Sequence, residues 1–300
     1  MSHLFFLRIL PFMMLCSTAS NLLLAEEVTQ QHNKLTLNAD LQKIDDWKKH
    51  PLILITHGTL AHNKMELIST LQELFSEQNI STLAINLSLN INNRHGFYDC
   101  ATPHTHKQSD AVDEIDIWVK WLKNQGVKKI ILMGHSRGGN QTAWYATQNS
   151  DAAIKKIVLI APATWNRESS INGYRKKYNK ELVPLLNKAQ NLINNGNKKM
   201  RLKHTDFLYC KDTAVTAESF ASYYDNNKNK DSLYLIPKIK KPLLVIAGSE
   251  DKTVRNLDKL VPPLTQKYPF KFKLIDGADH FFRDLYADEL VESVTDFISD

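Results

Sequence analysis

The chain has 300 residues, of which 43% are hydrophobic and 23% charged, with a formal net charge of +6. This length and composition allow one large α/β domain or, less economically, two small ones, and they exclude a disordered or fibrous chain. The basic excess lies in residues 163–235, which hold 13 basic and 7 acidic side chains. Since no nucleic-acid recognition motif or continuous basic helix accompanies it, we expect no nucleic-acid partner.

Residues 1–25 have the pattern of an export signal. Arg8 precedes a short apolar stretch at residues 9–16, and small residues follow it. A membrane-spanning helix would need about 20 apolar residues without an interrupting charge or proline. We therefore predict a signal peptide cleaved after Ala25, or alternatively after Ala19, and a periplasmic or secreted protein with no stable membrane span. An uncleaved amphipathic anchor is the alternative.

The compartment of the protein decides whether its cysteines are oxidised. Removing the leader takes away Cys16 and leaves Cys100 and Cys210 in an oxidising compartment, where a disulfide persists. We predict a disulfide between these two residues, against the alternative of two unrelated thiols. No cysteine spacing matches a zinc-ligand set, and we expect no metal and no cofactor.

Most of the chain alternates between strand and helix patterns. Short apolar runs rich in β-branched residues predict buried strands, and apolar stripes at helical spacing predict helices. The predicted strands are residues 51–56, 82–87, 129–133, 156–160, 243–247 and 270–275, and the predicted helices are residues 64–78, 108–124, 140–148 and 281–298. Strands that alternate with helices and are buried on both faces imply a mostly parallel sheet.

A glycine-containing turn follows the first predicted strand. Residues 56–59 read Thr-His-Gly-Thr, and Gly58 lets the backbone approach a bound carbonyl group. We predict an oxyanion hole formed by the backbone N–H groups of Thr59 and, from the serine motif further along the chain, Arg137. Leu60 is the alternative to Thr59.

The loop at residues 92–106 leaves the carboxyl end of the second predicted strand, so it should border the mouth of an active site. It is long and aromatic and holds three histidines. We predict that it forms a wall of the substrate pocket, with Tyr98 as a substrate-binding residue. His104 and His106 could bind a metal, but no third ligand is spaced to complete the site.

Residues 134–138 read Gly-His-Ser-Arg-Gly and fit the G-x-S-x-G pattern between a predicted strand and a predicted helix. At such a sharp turn the serine projects from the carboxyl edge of the sheet, and the helix amino terminus points free N–H groups at developing negative charge. Ser136 is therefore the predicted nucleophile. We assign His57, Gly58 and His135 to the substrate-binding site, the two histidines as groups that shape it rather than as bases.

Residues 163–235 interrupt the alternation of strands and helices. They are rich in asparagine and lysine, and their apolar groups suffice for a few helices but not for an independent core. We predict a helical lid inserted into a core formed by residues 26–162 and 236–300, and tied to the pocket wall by the predicted disulfide. Seven aromatic residues of the lid either line an acyl pocket or anchor the lid: Trp165, Tyr174, Phe207, Tyr209, Phe220, Tyr223 and Tyr224.

A serine needs a base to take its proton and an acid to orient that base. Asp251 follows the fifth predicted strand and His280 follows the last one, so Ser136, Asp251 and His280 would meet at one edge of the sheet. We predict them as nucleophile, orienting acid and general base. Three other carboxylates are alternatives to Asp251: Glu250, Asp276 and Asp279.

Together, these motifs make the sequence similar to the α/β-hydrolase superfamily over about residues 50–300. The resemblance rests on His57-Gly58, the serine motif, the Asp251 loop and the final His280. It implies an eight-stranded, mostly parallel sheet flanked by helices and hydrolysis through a covalent acyl-serine. It implies no particular substrate, because one fold carries many activities.

We therefore predict an exported serine hydrolase, esterase-like, that cleaves a carboxylic ester, a thioester or a related acyl bond of a small molecule. One alternative is a non-catalytic binding protein on the same scaffold, which would not need all three catalytic side chains. The other is a serine peptidase. The oligomeric state is left open.

Overall fold

The computed structural model describes residues 25–300, so the predicted signal peptide up to residue 24 lies outside the described residues. Eight strands form one sheet, and two more form a separate hairpin. In chain order the strands are β1 (Glu26–His32), β2 (Leu35–Gln42), β3 (Leu52–Thr56), β4 (Ser81–Asn86), β5 (Ile130–His135), β6 (Ile154–Ile160), β7 (Arg201–Phe207), β8 (Cys210–Thr216), β9 (Leu243–Gly248) and β10 (Lys271–Ile275).

The large sheet has the order β1-β2-β4-β3-β5-β6-β9-β10. The pairs from β4 to β10 are parallel, whereas β2 is antiparallel to both β1 and β4. The predicted mostly parallel, eight-stranded sheet is confirmed, and all six predicted strands lie in it. The carboxyl ends of its parallel strands share one edge, where ligands bind in open α/β sheets.

Helices cover the sheet and fill the connections. In chain order they are α1 (Glu66–Glu77), α2 (Asp110–Asn124), α3 (Arg137–Gln148), α4 (Arg167–Tyr178), α5 (Leu182–Asn194), α6 (Ala217–Tyr224), α7 (Ser232–Leu235), α8 (Leu257–Leu260), α9 (Pro262–Thr265) and α10 (Leu285–Ser299). The four predicted helices correspond to α1, α2, α3 and α10. None of the described helices is both long and apolar enough to cross a membrane.

The antiparallel pair β1 and β2 was not predicted from the sequence. Strand β2 contains three buried polar residues, Asn38, Asp40 and Gln42. Because these residues interrupt the apolar pattern, the sequence of the strand resembles that of a loop. Two of these buried polar side chains have a polar partner elsewhere in the chain. Asn38 donates to the Arg94 carbonyl, and Asp40 lies 3.3 Å from the Lys64 ammonium.

The insertion between β6 and β9 contains α4 to α7 and the antiparallel hairpin β7–β8. The prediction that it lacks a core of its own is wrong: Tyr174, Leu186, Phe207 and Phe220 belong to a second buried apolar cluster, separate from the main one. The hairpin supplies residues to this cluster that a purely helical insertion would not.

The predicted disulfide between Cys100 and Cys210 is present, with Cα atoms 5.2 Å apart. It joins the loop after β4 to the start of β8. The same contact is extended by backbone hydrogen bonds, since the N–H of His104 donates to the Ala214 carbonyl and the N–H of Thr216 donates to the His104 carbonyl. The insertion is therefore fastened to the loop along several residues rather than at one point.

Candidate active site

Ser136 lies at the turn between β5 and α3 in a backbone conformation that non-glycine residues rarely adopt, with φ 56° and ψ −121°. Backbone hydrogen bonds fix it there. Its N–H donates to the Ile160 carbonyl at 2.9 Å, and its own carbonyl accepts from the N–H of Ala163 at 2.9 Å. Such strain persists only where the surroundings over-determine it, and it is common at catalytic residues.

Gly134 and Gly138 of the serine motif lie so close to neighbouring atoms that no side chain fits at either position. A Cβ at Gly134 would lie 2.4 Å from the Thr142 hydroxyl oxygen, and one at Gly138 would lie 2.3 Å from the His57 carbonyl and 2.4 Å from that of Thr56. No carbon approaches oxygen that closely, so a side chain at either position would push the turn away from the sheet.

His280 and Asp251 are directly paired. The Nδ1 atom of His280 lies 2.7 Å from Oδ2 of Asp251, and the other carboxylate oxygen accepts from the N–H groups of Thr253 and Val254 at 2.7 and 2.8 Å. Burial alone would raise the pKa of Asp251, but these hydrogen bonds outweigh it and lower the pKa. An ionised carboxylate can only accept, so Nδ1 carries a proton, and in the neutral ring Nε2 is the nitrogen with the lone pair.

The three alternative carboxylates have other environments. Glu250 is exposed. Asp276 accepts a hydrogen bond from the Ser249 hydroxyl at 2.9 Å, and Asp279 forms an ion pair with Arg283 at 2.9 Å. The geometry favours the carboxylate that is already paired with the imidazole.

Ser136 and His280 are both buried and line the same cavity. Within residues 25–300 no hydrogen bond joins the serine hydroxyl to the imidazole, a contact that commonly tightens only when substrate binds. His135 lies beside His280, with ring centroids 4.7 Å apart, and donates from Nε2 to the His280 carbonyl at 2.9 Å. Burial and the neighbouring His280 lower the pKa of His135 to about 3, so it is neutral and serves to hold the His280 backbone.

The two N–H groups expected to form the oxyanion hole are available. In the described part of the chain neither Thr59 N–H nor Arg137 N–H donates to another protein group, and the same holds for Leu60. Gly58 allows close approach, since a Cβ there would lie 3.2 Å from that of Ser136. The structure therefore leaves Leu60 open as the alternative donor.

The side chain of Arg137 connects the serine motif to Thr59 and to the insertion, and its position in the sequence did not indicate this. Its Nε donates to the Thr59 hydroxyl at 2.8 Å and its Nη1 to the Gln108 side-chain oxygen at 2.8 Å, while the guanidinium lies 5.2 Å from the centre of the Tyr223 ring. One arginine thus connects the two expected oxyanion donors to each other and to helix α6 of the insertion.

His57 lies beneath the site and is not among the residues that line the cavity. The Leu87 N–H donates to its Nε2 at 3.1 Å, which places the ring proton on Nδ1, where it donates to the Gly58 carbonyl at 2.9 Å. Burial and the nearby Arg94 lower the pKa of His57 to about 3. The assignment of His57 to substrate binding is therefore corrected: it supports the turn at Gly58 from below.

Arg94 is a residue of the site region that the sequence analysis missed. Its guanidinium is almost fully buried and donates to the carbonyls of Leu87 and Ala61, each at 2.8 Å, and to the Asn86 side chain at 2.6 Å. It also lies 3.2 Å from His57 Nε2. A single arginine in a polar loop carries no sequence signal for this role, because its partners come from three separate segments.

His104 and His106 form a buried pair with their ring nitrogens 3.1 Å apart, and the other nitrogen of His106 lies 2.8 Å from the Tyr223 hydroxyl. Burial lowers the pKa of His104 to about 4 and that of His106 well below its usual value. Across residues 25–300 no cluster of three potential metal-ligating side chains is found. The pair connects the loop after β4 to the insertion.

A cavity of about 980 Å³ opens beside Ser136 and extends between α1 and the start of α10. Gly58, His135 and Tyr98 line this cavity, and their binding of a substrate stays a prediction. Of the seven aromatic residues of the insertion that were considered as pocket residues, only Tyr209 lines the cavity. Four of the others belong to the insertion's own buried cluster, which corresponds to the anchoring alternative: Tyr174, Phe207, Phe220 and Tyr223.

Similar proteins are esterases, lipases and thioesterases. A Mycoplasma pneumoniae protein named "Putative esterase/lipase 3" is 27% identical over 121 residues, which cover 38% of this chain and 42% of that relative. The structure is similar to Est1E from Butyrivibrio proteoclasticus, with a TM-score of 0.63 and 19% identity over 91% of this chain and 99% of the other. A monoacylglycerol lipase from Paleococcus ferrophilus has a TM-score of 0.59 and 18% identity over 88% and 98% of the two chains.

The thioesterase domain from the curacin biosynthetic pathway gives a TM-score of 0.57 with 15% identity, over 90% of this chain and 99% of that domain. At these identities the solved structures establish the fold alone. The family described as "Serine aminopeptidase, S33" matches residues 47–282, which include the serine motif, the Asp251 loop and His280. The chain therefore belongs to the family described as "Serine aminopeptidase, S33", and its fold is that of the α/β hydrolases that it resembles.

Proposed function

We propose that the protein is a serine hydrolase that cleaves a carboxylic ester, or a chemically related thioester, through an acyl-enzyme on Ser136. The observation that carries the proposal is the 2.7 Å contact between His280 Nδ1 and Asp251, which leaves Nε2 as the ring nitrogen that can take a proton, at the cavity that Ser136 also lines. An imidazole in this state accepts a proton from a hydroxyl.

The reaction runs in two steps. The Ser136 oxygen attacks the acyl carbon while His280 takes the hydroxyl proton, and the resulting oxyanion is held by the N–H groups of Thr59 and Arg137. The intermediate collapses as His280 gives the proton to the leaving alcohol or thiol. Water then attacks the acyl-enzyme with the same base, and the acid and free serine are released.

The ionised state of Asp251 matters for both steps. A carboxylate whose pKa is lowered by three hydrogen bonds stays charged beside the imidazolium that forms when His280 accepts the proton. His57 and His135 cannot compete for that proton near neutral pH, because burial lowers the pKa of each to about 3.

We also propose export and an oxidising compartment. The leader at residues 1–25 and the Cys100–Cys210 disulfide support this, since such bonds persist outside the reducing cytosol. Cleavage after Ala25 would leave β1, which begins at Glu26, whole. Amino-terminal sequencing of the protein from a periplasmic extract should read Glu-Glu-Val, and an intact leader in a cytosolic fraction would contradict the proposal.

Cleavage of peptides is the second candidate function, because the matching family is described as one of serine aminopeptidases. The same acyl-enzyme chemistry would serve an amide, provided that a leaving amine is protonated by His280. Hydrolysis of aminoacyl p-nitroanilides at a rate comparable to that of p-nitrophenyl esters would favour this function over the esterase.

The direct test is hydrolysis of p-nitrophenyl butyrate by residues 26–300 and by a Ser136→Ala variant. We expect the variant to lose roughly a millionfold in turnover. Ser299→Ala, at the exposed end of α10, removes the same atom far from the site and should behave as the unmodified protein. A protein that hydrolyses no ester, thioester or anilide would favour the non-catalytic binding scaffold.

A further inference from the structure

The cavity beside Ser136 is long in one direction. Its wall follows the chain from Gly58, next to the serine, along α1 from Met65 to Leu74. An α-helix rises about 1.5 Å per residue, so this part of the wall is about 13 Å long. An acetyl group would leave most of that length unfilled.

The far wall comes from the segment that leads from His280 into α10, and it is apolar at Phe281, Phe282 and Ala287. At the rim three large apolar side chains are strongly exposed: Phe97 is 68%, Tyr209 57% and Leu285 81% exposed. Exposed apolar groups around the mouth of an apolar cavity are typical of a site that takes up an apolar ligand.

The charges at the cavity are mostly negative, although the chain as a whole is positive. Four charged side chains line it, Glu66, Asp284 and Asp288 against Arg283, and that arginine is already paired with Asp279 at 2.9 Å and lies 3.7 Å from Glu66. A ligand group that carries a carboxylate would meet this negative field without a free cation among the lining residues to receive it.

We propose that the space between α1 and the start of α10 binds an uncharged, extended apolar arm of the substrate, and that it discriminates against arms that end in a carboxylate. This inference rests on the proposed ester hydrolysis at Ser136, because it assigns the substrate of that reaction. The arm belongs either to the acyl group or to the alcohol, since the chemistry of the cavity is the same for both.

Two series of esters distinguish the arms. In the acyl series p-nitrophenyl acetate is compared with p-nitrophenyl octanoate, and in the alcohol series ethyl acetate is compared with octyl acetate. The longer arm should raise kcat/KM by about tenfold to a hundredfold in one series. Hydrolysis of the acetates with no gain in either series would overturn the inference while leaving the proposed function intact, whereas no hydrolysis of any ester would remove both.

Leu74→Trp tests where the arm lies. The larger side chain fills the distal end of the cavity, so it should lower kcat/KM for the longer arm much more than kcat/KM for the acetate and remove most of the preference for the longer arm. Leu260→Trp is the matched control, because Leu260 is 44% exposed and lies outside the cavity wall. An octanoate preference that survives Leu74→Trp would contradict this placement.

The exclusion of carboxylates is tested in the series that prefers the longer arm. For an acyl arm, p-nitrophenyl hydrogen suberate matches the octanoate in length but ends in a carboxylate, and for an alcohol arm 8-acetoxyoctanoate is compared with octyl acetate in the same way. We expect kcat/KM at least about tenfold lower than for the octanoate. Asp288→Lys should reduce the ratio of kcat/KM for the octanoate to kcat/KM for the suberate by about threefold, the size typical of an exposed charge pair. Glu73→Lys, on the exposed side of α1, should leave this ratio unchanged. Equal rates on the two esters in the unmodified protein would overturn the charge part of the inference.

Discussion

Replacing Arg94 by methionine tests whether a buried arginine holds the Gly58 turn in place. The side chain is only 4% exposed, and burial lowers its pKa to about 10, so it remains charged at neutral pH. Its guanidinium donates to Ala61 and Asn86, and it lies against His57, which in turn supports Gly58. Methionine keeps the apolar volume and removes every donor.

The expected loss of stability comes from the buried acceptors that no longer have a donor once the guanidinium is removed. Each hydrogen bond to a charged group is worth about 1.5 to 3 kcal/mol, and unsatisfied buried acceptors cost about 1 to 3 kcal/mol each. These values are not additive, and removing the arginine also removes its own desolvation cost. We therefore expect Arg94→Met to lower the free energy of unfolding by about 3 to 5 kcal/mol, which corresponds to two or three buried neutral acceptors left without a donor.

The assay is urea denaturation together with ester hydrolysis at a urea concentration where the variant is fully folded. Because Ala61 and His57 belong to the turn that carries Thr59, kcat should also fall in the folded variant. Arg255→Met is the control, since Arg255 is exposed and makes one hydrogen bond, to the Lys252 carbonyl. An Arg94→Met protein with an unchanged urea midpoint and unchanged kcat would refute this reasoning.

Three further predictions concern the pairing of the imidazole, the response to acid and the disulfide. Asp251→Asn replaces the carboxylate that fixes the His280 tautomer, so kcat on p-nitrophenyl butyrate should fall by about 10⁴-fold, and a loss below tenfold would contradict the assigned role. Burial lowers the pKa of His57 and His135 to about 3 and that of His104 to about 4, and it lowers the pKa of His106 well below its usual value. The unfolded chain therefore binds more protons than the folded chain below the ordinary histidine pKa, and the free energy of unfolding should fall as the pH drops from 6.5 to 4.5, by up to about 5 kcal/mol per pH unit. Glu114 opposes this trend, because burial raises its pKa to about 7, and urea midpoints that rise toward pH 4.5 would show that the histidines do not dominate. Cys100→Ala with Cys210→Ala opens a loop with a sequence separation of 110, so unfolding free energy should fall by about 4 to 5 kcal/mol in urea titrations, and equal stability would show that the hydrogen bonds around His104 suffice.

The central strands could be predicted because burial on both faces leaves little freedom in their sequence. Strand β3 at residues 52–56 is buried at every position, and so are β5 and β9, which makes them continuous apolar runs. Strand β2 was missed for the opposite reason. Its buried positions include Asn38 and Asp40, whose partners lie on distant segments that a local pattern does not show.

The hairpin in the insertion was missed because its sequence is irregular. Strand β7 reads Arg-Leu-Lys-His-Thr-Asp-Phe, and its pairing with β8 shifts register twice. His204 and Asp212 adopt positive φ values, which break the alternation that would mark a strand. The second apolar cluster, formed where α5, α6 and the hairpin meet, stabilises this arrangement together with the Cys100–Cys210 disulfide.

The candidate catalytic residues could be found because the chemistry restricts where they lie. The serine motif has a glycine at each end because neighbouring atoms leave no room for a side chain. The acid follows strand β9 and the histidine follows strand β10, in the order expected for this motif. The supporting residues have no such signature. Arg94 contacts Ala61, 33 positions away, and Arg137 contacts Thr59, 78 positions away, and only the folded chain brings these residues together.

We expect His280 and Asp251 to make the Ser136 hydroxyl the nucleophile of this protein. Peptide mass spectrometry after treatment with a fluorophosphonate measures this reactivity at each serine. A single adduct should form on the peptide that contains Ser136, and labelling should be strongly reduced in a His280→Ala variant. A folded protein that stays unlabelled, or an adduct on another serine, would show that Ser136 is not the nucleophile.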